Sequence, residues 1–360
     1  MREDALLMTP GPTRIPERVL LASHRVLHHR TPEFSDVLDE TFDLIRPFFG
    51  AASADVLPVH ATGRAAMEGA ITNFFAPGDA VVACCNGSFG EMWAEFAESY
   101  GLDVRRVCED WEHSVDPAVV EAALAGGGVR GVLCTHSDTS TAVLNPIAQI
   151  AAVARSHGSL ILVDGISSVG GVPFSFDAWD LDFAVTSSQK CLMASPGLSF
   201  AVVGERAWQA VERSPFPKNY LSFGAIRSTL ARDRAETPGT TPVSLVLQVR
   251  EGLRMLTEEG LDHVFERHAE MAERVRTGTR ALGFGLLGAG IHQRSPTLTA
   301  LTVPDGVDAK EYRTKVRSGG VQIAVGLRSY GGSCVRLGHM GDIRMGDVDR
   351  TLEVMRSALP

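Results

Sequence analysis

The sequence predicts an α/β fold, a mainly parallel sheet covered by helices and followed by a small α+β unit. Seven short runs rich in Val, Ile, Leu, Phe and Cys recur with helical segments between them. The runs are mostly continuous in apolar character, as expected of strands covered on both faces. The 360 residues, 44% hydrophobic and 21% charged, suit a chain with a sizeable core, and at a prior of ~150 residues per domain they allow about two domains.

In order, the runs are Val56–Val59, Ala80–Cys85, Val104–Val107, Gly131–Cys134, Leu160–Val163, Phe183–Thr186 and Leu198–Val203. Between them, Met67, Ile71, Phe74 and Phe75 mark one stripe of a helix over Arg64–Ala76, and Ile147–His157 reads the same way with Gly158 as its stop. Alternating β and α segments give a parallel sheet. Only Ser188 to Gly197 joins the sixth run to the seventh, about the minimum for a crossover, so the seventh strand is expected antiparallel. Beyond about residue 255 the pattern changes to a helix (Leu261–Leu282), strands near Thr297–Val303, Val321–Val325 and Cys334–Leu337, and a closing helix near Asp347–Leu359. The expected division is an N-terminal arm (1–20), a large domain (21–255) and a small C-terminal domain (256–360).

A net charge of −9 without long Lys/Arg runs argues against a nucleic-acid partner. No leader-like start and no apolar run near ~20 residues is present, so the expectation is a cytoplasmic protein without a membrane span. Six cysteines form no CxxC pair and mostly sit in apolar stretches, which suits reduced buried thiols. His28 and His29 are adjacent and cannot share a helix face as a ligand pair would, so no metal site is expected. Met92, Trp93 and Phe96 have helical spacing and read as core.

Ligands of open α/β sheets collect beyond the carboxyl ends of strands, and three such ends are chemically unusual. His60-Ala61-Thr62-Gly63-Arg64 follows the first run and opens a helix, either an anion site or an ordinary turn with a Thr cap. Asp164 ends an apolar strand, where a carboxylate needs a cation or hydrogen-bond donors. Lys190 follows the sixth run in Ser187-Ser188-Gln189-Lys190. A lysine that loses its proton in a closed site forms Schiff bases. A lysine amine, an acid for a pyridine nitrogen and a helix N-terminus for a phosphate are together what pyridoxal 5'-phosphate requires.

The chain resembles the class V aminotransferases, the fold-type-I pyridoxal-phosphate transferases of the alanine/serine–glyoxylate and 2-aminoethylphosphonate–pyruvate branch. The resemblance rests on Thr9-Pro10-Gly11-Pro12-Thr13, His29-Arg30-Thr31-Pro32-Glu33-Phe34, Asn86-Gly87-Ser88-Phe89-Gly90, Thr139-Ser140-Thr141, Val163-Asp164 with Ser167-Ser168-Val169-Gly170-Gly171, Ser188-Gln189-Lys190, Pro196-Gly197 and Arg336-Leu337-Gly338-His339-Met340-Gly341. It implies that Lys190 holds the cofactor as a Schiff base and moves the substrate α-proton, while Asp164 keeps the pyridine nitrogen protonated. It further implies that Phe89 stacks on the ring, Thr139 lies near its phenolic oxygen, and Thr62, Gly63, Arg64 and Gln189 hold the phosphate with Thr240 of a second subunit in a homodimer. Arg336 matches the residue that binds the substrate carboxylate. The implied reaction is ping-pong transfer of an amine from a small amino acid, such as alanine or serine, to glyoxylate or pyruvate.

The chain also departs from the pattern. His60-Ala61-Thr62-Gly63 replaces a more common Ser-Gly-Thr/Ser-Gly turn, and Arg64 adds a charge that can pair with phosphate, recognise an acidic substrate group or face solvent. Arg328 and Tyr330 replace a Gly-rich loop and either reshape the substrate pocket or lie on the surface. Two alternatives stay open: a desulfurase-like lyase using Cys334, and a family member whose catalysis is altered or lost.

Overall fold

The computed structural model describes residues 5–108, 110–288 and 293–360. Its strands are β1 (Leu6–Leu7), β2 (Asp55–Val59), β3 (Ala80–Cys84), β4 (Asp103–Val107), β5 (Val129–Thr135), β6 (Leu160–Asp164), β7 (Phe183–Ser187), β8 (Ser199–Val203), β9 (Gly285–Leu286), β10 (Leu298–Thr302), β11 (Val321–Gln322), β12 (Ala324–Val325) and β13 (Cys334–Gly338). Helices α1 (Glu17–Ala22), α2 (Pro32–Phe49), α3 (Gly63–Phe74) and α4 (Ser88–Ser99) are the ones that matter below.

The large sheet runs β2-β8-β7-β6-β5-β3-β4. As the short Ser188–Gly197 link predicts, β8 is antiparallel to both neighbours. Each strand sends alternate residues to opposite faces, and both faces are apolar. Val82, Cys84, Val132, Ile161 and Phe200 pack under α2 and the helices Ile147–Ser156 and Val243–Glu259. Val81, Leu133, Leu162, Phe183 and Ala201 pack against α3 and α4 through Met67, Ile71, Phe74 and Trp93. Burial on two sides is why the sequence reads as continuous apolar runs.

The second sheet, β12-β13-β10-β9, has one face on the helices Leu261–Arg280, Ala309–Ser318 and Met345–Ser357. Its other face carries Leu298, Ala300 and Cys334 and meets Cys191 and Ala142 of the large sheet's loops. The expected single strand Val321–Val325 is two strands. The β11 strand pairs with β1, whereas β12 pairs with β13. Residues 5–8, read as part of an arm, are thus stitched to the C-terminal layer, with Met8 buried in its core. The expected boundaries at 20 and 255 fall inside α1 and the helix Val243–Glu259. Among the described residues no helix is long and apolar enough to cross a membrane.

Candidate active site

A cavity of about 270 Å³ lies beyond the carboxyl ends of the large sheet, lined by Thr62, Gly63, Arg64, Phe89, Thr139, Asp164, Gln189 and Lys190, with Met67, Met92, Ile166 and Ser167. Eight residues expected at the site therefore meet here, from five separate strand ends. Met92, read as core, lines the cavity as well as packing on the core, whereas Trp93 is fully buried against Phe183.

Lys190 is buried, and its Nζ donates a hydrogen bond to the Pro10 carbonyl. The loop is pinned by Thr13, whose N–H donates to the Gln189 carbonyl at 3.1 Å and whose hydroxyl donates to the Lys190 carbonyl at 3.1 Å. A Cβ at Gly11 would come within 2.7 Å of Nζ, so glycine is required for this approach. Burial pushes the amine down to about 8 against the pull of Asp164. Loss of solvation also raises Asp164, to about 7, helped by the charge of Asp138 and opposed by the Ile166 N–H, which donates to Oδ1 at 2.8 Å. Burial thus moves the two groups toward each other, the carboxyl up and the amine down.

At the start of α3, Thr62 is extended and its hydroxyl makes no capping bond. The Gly63 N–H donates to the Ser187 hydroxyl at 3.2 Å, and that hydroxyl donates to Gln189 Oε1 at 2.6 Å. The ordinary reading of this turn, a Thr-capped helix, is therefore not what forms. A Cβ on Gly63 would press on Ile166 Cδ1 at 2.4 Å. Arg64 is exposed and lies over the Phe96 ring at 5.4 Å.

Arg336 sits on β13, on the same face as Cys334 and turned to the large sheet's loops. It is not on the cavity wall. Its Nε donates to the Val325 carbonyl at 2.9 Å and its Nη1 to the carbonyl of Thr139 at 2.8 Å. No carboxylate pairs with it among the described contacts, and burial lowers it to about 10. Thr139 joins it to the cavity and exchanges a 2.7 Å hydrogen bond with the Ser167 hydroxyl.

Thr240 lies elsewhere, exposed, in a second hollow with His60 and Tyr220. Arg328 and Tyr330 also miss the cavity. Arg328 pairs with Glu95 of α4 at 2.6 Å, and Tyr330 stacks on Trp111 with centroids 6.0 Å apart. Cys334 is buried within β13, not on a loop, and burial raises its thiol. All six cysteines are free thiols.

These residues fit pyridoxal 5'-phosphate. A buried carboxylate with no cation in contact among the described residues suits a pyridinium nitrogen, a depressed amine suits an aldehyde, and a helix start without a cap from its own Thr62 suits a phosphate. Sequence reasoning assigned no site role to Pro10, Ser167, Ser187 or Ile166, although Pro10 and Ser167 lie in motifs that carried the resemblance, Thr9–Thr13 and Ser167–Gly171.

The family model for aminotransferase class V matches residues 11–348. The chain is 35% identical to a protein named soluble hydrogenase, small subunit, from a Synechococcus species, covering 100% of this chain and 94% of that one. It is 33% identical to the L-aspartate–glyoxylate aminotransferase of Paracoccus denitrificans, over 94% of this chain and 86% of that one. The crystal structure of an alanine–glyoxylate aminotransferase from a Nostoc species superposes with a TM-score of 0.95 at 31% identity, covering 100% of this chain and 96% of that one. Geometry and similarity thus agree, and the chain belongs to the class V aminotransferases, pyridoxal-phosphate-dependent enzymes of fold type I.

Proposed function

We propose that the protein transfers the amino group of a small amino acid, such as alanine, serine or a related donor, to glyoxylate or pyruvate in a ping-pong cycle. The observation that carries this reading is the buried Lys190 amine facing the same small cavity as the buried Asp164 carboxylate. The resemblance to a hydrogenase subunit brings no second reading, because an amine, a carboxylate and an anion-binding turn are what the cavity assembles.

Bound pyridoxal 5'-phosphate supplies an aldehyde and a ring that takes up electrons when the substrate's α-carbon loses its proton. Lys190 would hold that group through its amine and carry the proton at the substrate's α-carbon. Its hydrogen bond to the Pro10 carbonyl keeps Nζ inside the cavity. Asp164 would hold the proton on the pyridine nitrogen. Phe89 would lie on one face of the ring, with Thr139 at its edge. The N–H groups at the start of α3, with Gln189 and Arg64, would bind the phosphate. Arg336, left with unused donors, would take the substrate α-carboxylate in its two-donor fork.

This reading also assigns residues 21–255 to the cofactor-binding unit and 256–360 to a smaller unit that supplies Arg336. Two copies of the chain would share each site, with Thr240 of one reaching the phosphate of the other. The desulfurase-like alternative loses its support, since Cys334 is held inside a strand.

The test is a panel of amino donors given to the cofactor-loaded protein without an acceptor. Small donors are expected to bleach the bound-cofactor absorbance band, and glyoxylate or pyruvate to restore it. Lys190→Ala is expected to abolish turnover. Turnover by Lys190→Ala, or a band that no donor bleaches, would overturn the proposal.

A further inference from the structure

The cavity is bordered by two helix starts: at α3 Thr62 makes no cap and the Gly63 N–H meets the Ser187 hydroxyl, whereas at α4 the first turn is already filled. The α4 start is filled by Asp138, a fully buried carboxylate from the loop after β5. Its Oδ2 accepts the N–H of Phe89 at 3.0 Å and of Gly90 at 3.3 Å. Its Oδ1 accepts the N–H of Ser140 at 2.8 Å and the Ser140 hydroxyl at 2.5 Å. The same hydroxyl oxygen accepts the N–H of Ser88 at 2.8 Å. Asp138 and Ser140 together cap the first three residues of α4 from another strand.

The position explains why this cap comes from afar. Residue Gly87 occupies the usual capping position, and a Cβ there would lie 2.2 Å from the Asp138 carboxyl carbon. Strands β3 and β5 are neighbours, but the helices that follow them pack on opposite faces, which opens a crevice between their ends. Phe89 stands on one side of that crevice and Thr139 on the other. Asp138 bridges it by two hydrogen bonds, from the N–H groups of Phe89 and Gly90, and two more from Ser140 hold the carboxylate on its own loop.

We propose that Asp138 is a positioning residue that clamps the start of α4 to the Thr139 loop and thereby fixes the Phe89 ring against the cofactor. This deepens the function proposed above and rests on it. Asp138 does not line the cavity; its charge also raises Asp164, an effect that Asp138→Asn removes whether or not Phe89 is present, so the part of its role carried through Phe89 is the difference between the two backgrounds. Asparagine would turn an amide N–H₂ toward donors that now face an oxygen, so Asp138→Asn breaks the clamp with little change in volume.

The experiment compares wild type, Asp138→Asn, Phe89→Ala and the double variant, reading the dissociation constant of pyridoxal 5'-phosphate and the circular dichroism induced in its absorbance band. Asp138→Asn is expected to weaken binding about tenfold, the scale of losing charged hydrogen bonds, and to reduce the induced signal. In the Phe89→Ala background the same change is expected to cost less than about threefold. Equal costs in both backgrounds, or an unchanged Asp138→Asn protein, overturn the proposal. If Asp138→Asn does not fold, Ser140→Ala removes the link to Ser88 and the hydroxyl's bond to Asp138 but leaves the carboxylate in place, and is expected to lower the affinity of wild type by about threefold but not that of Phe89→Ala. No loss in wild type, or an equal loss in both, overturns the proposal. Wild type that binds no cofactor at all would instead overturn the proposed function.

Discussion

At the scale of single residues, burial shifts the two titratable groups that face the cavity, raising the Asp164 carboxyl and lowering the Lys190 amine. Asp164 has its folded value near 7 against an ordinary 3.8, so the folded apoprotein binds this proton more tightly than the unfolded chain. Stability from this group is present below about pH 4 and is lost as pH rises toward 7. Asp164→Asn apoprotein should therefore gain melting temperature over wild type progressively between these values; a constant difference would contradict the assignment. Burial lowers Lys190 instead, and only its neutral amine attacks an aldehyde. The rate of cofactor loading should rise about tenfold per pH unit below 8 and level off above it, as stopped-flow absorbance would show. Asp164 and Lys190 were legible in sequence because each ends an apolar strand. Pro10 was not, since its carbonyl meets Nζ across 180 positions.

At the scale of elements, two-sided burial made the seven strands of the large sheet readable and the short Ser188–Gly197 link gave the one antiparallel strand. The small unit was harder to read, because β1, β11 and β12 are two residues each and carry no period. What holds β1 in place is contact: the Met8 N–H donates to the Gln322 carbonyl and the Gly338 N–H to the Met8 carbonyl. A Cβ on Gly338 would lie 2.2 Å from the Thr9 carbonyl oxygen and 2.7 Å from Pro10 Cα. Gly338→Ala is thus expected to cost about 1–3 kcal/mol and to shift the Pro10 carbonyl off Lys190. Denaturant unfolding and cofactor affinity should both fall. A variant that lost stability but bound cofactor normally would separate β1 docking from the position of Lys190.

At the scale of the whole molecule, the chain by itself does not bring together all the residues the resemblance implies. Thr240 faces its own hollow beside His60 and Tyr220, away from the cavity of its own Lys190. Tyr220, beside Thr240 in that hollow, is 68% exposed. A two-fold dimer makes a sharp arithmetic prediction. If each site uses Lys190 of one chain and Thr240 of the other, a dimer of one Lys190→Ala and one Thr240→Ala chain has one site with both defects and one with neither. After subunit exchange in an equal mixture, half of the dimers are mixed, so about a quarter of all sites become wild type. Activity should climb above the mean of the two parents as exchange proceeds. If Thr240 instead served its own chain, every site would keep one defect and mixing would change nothing.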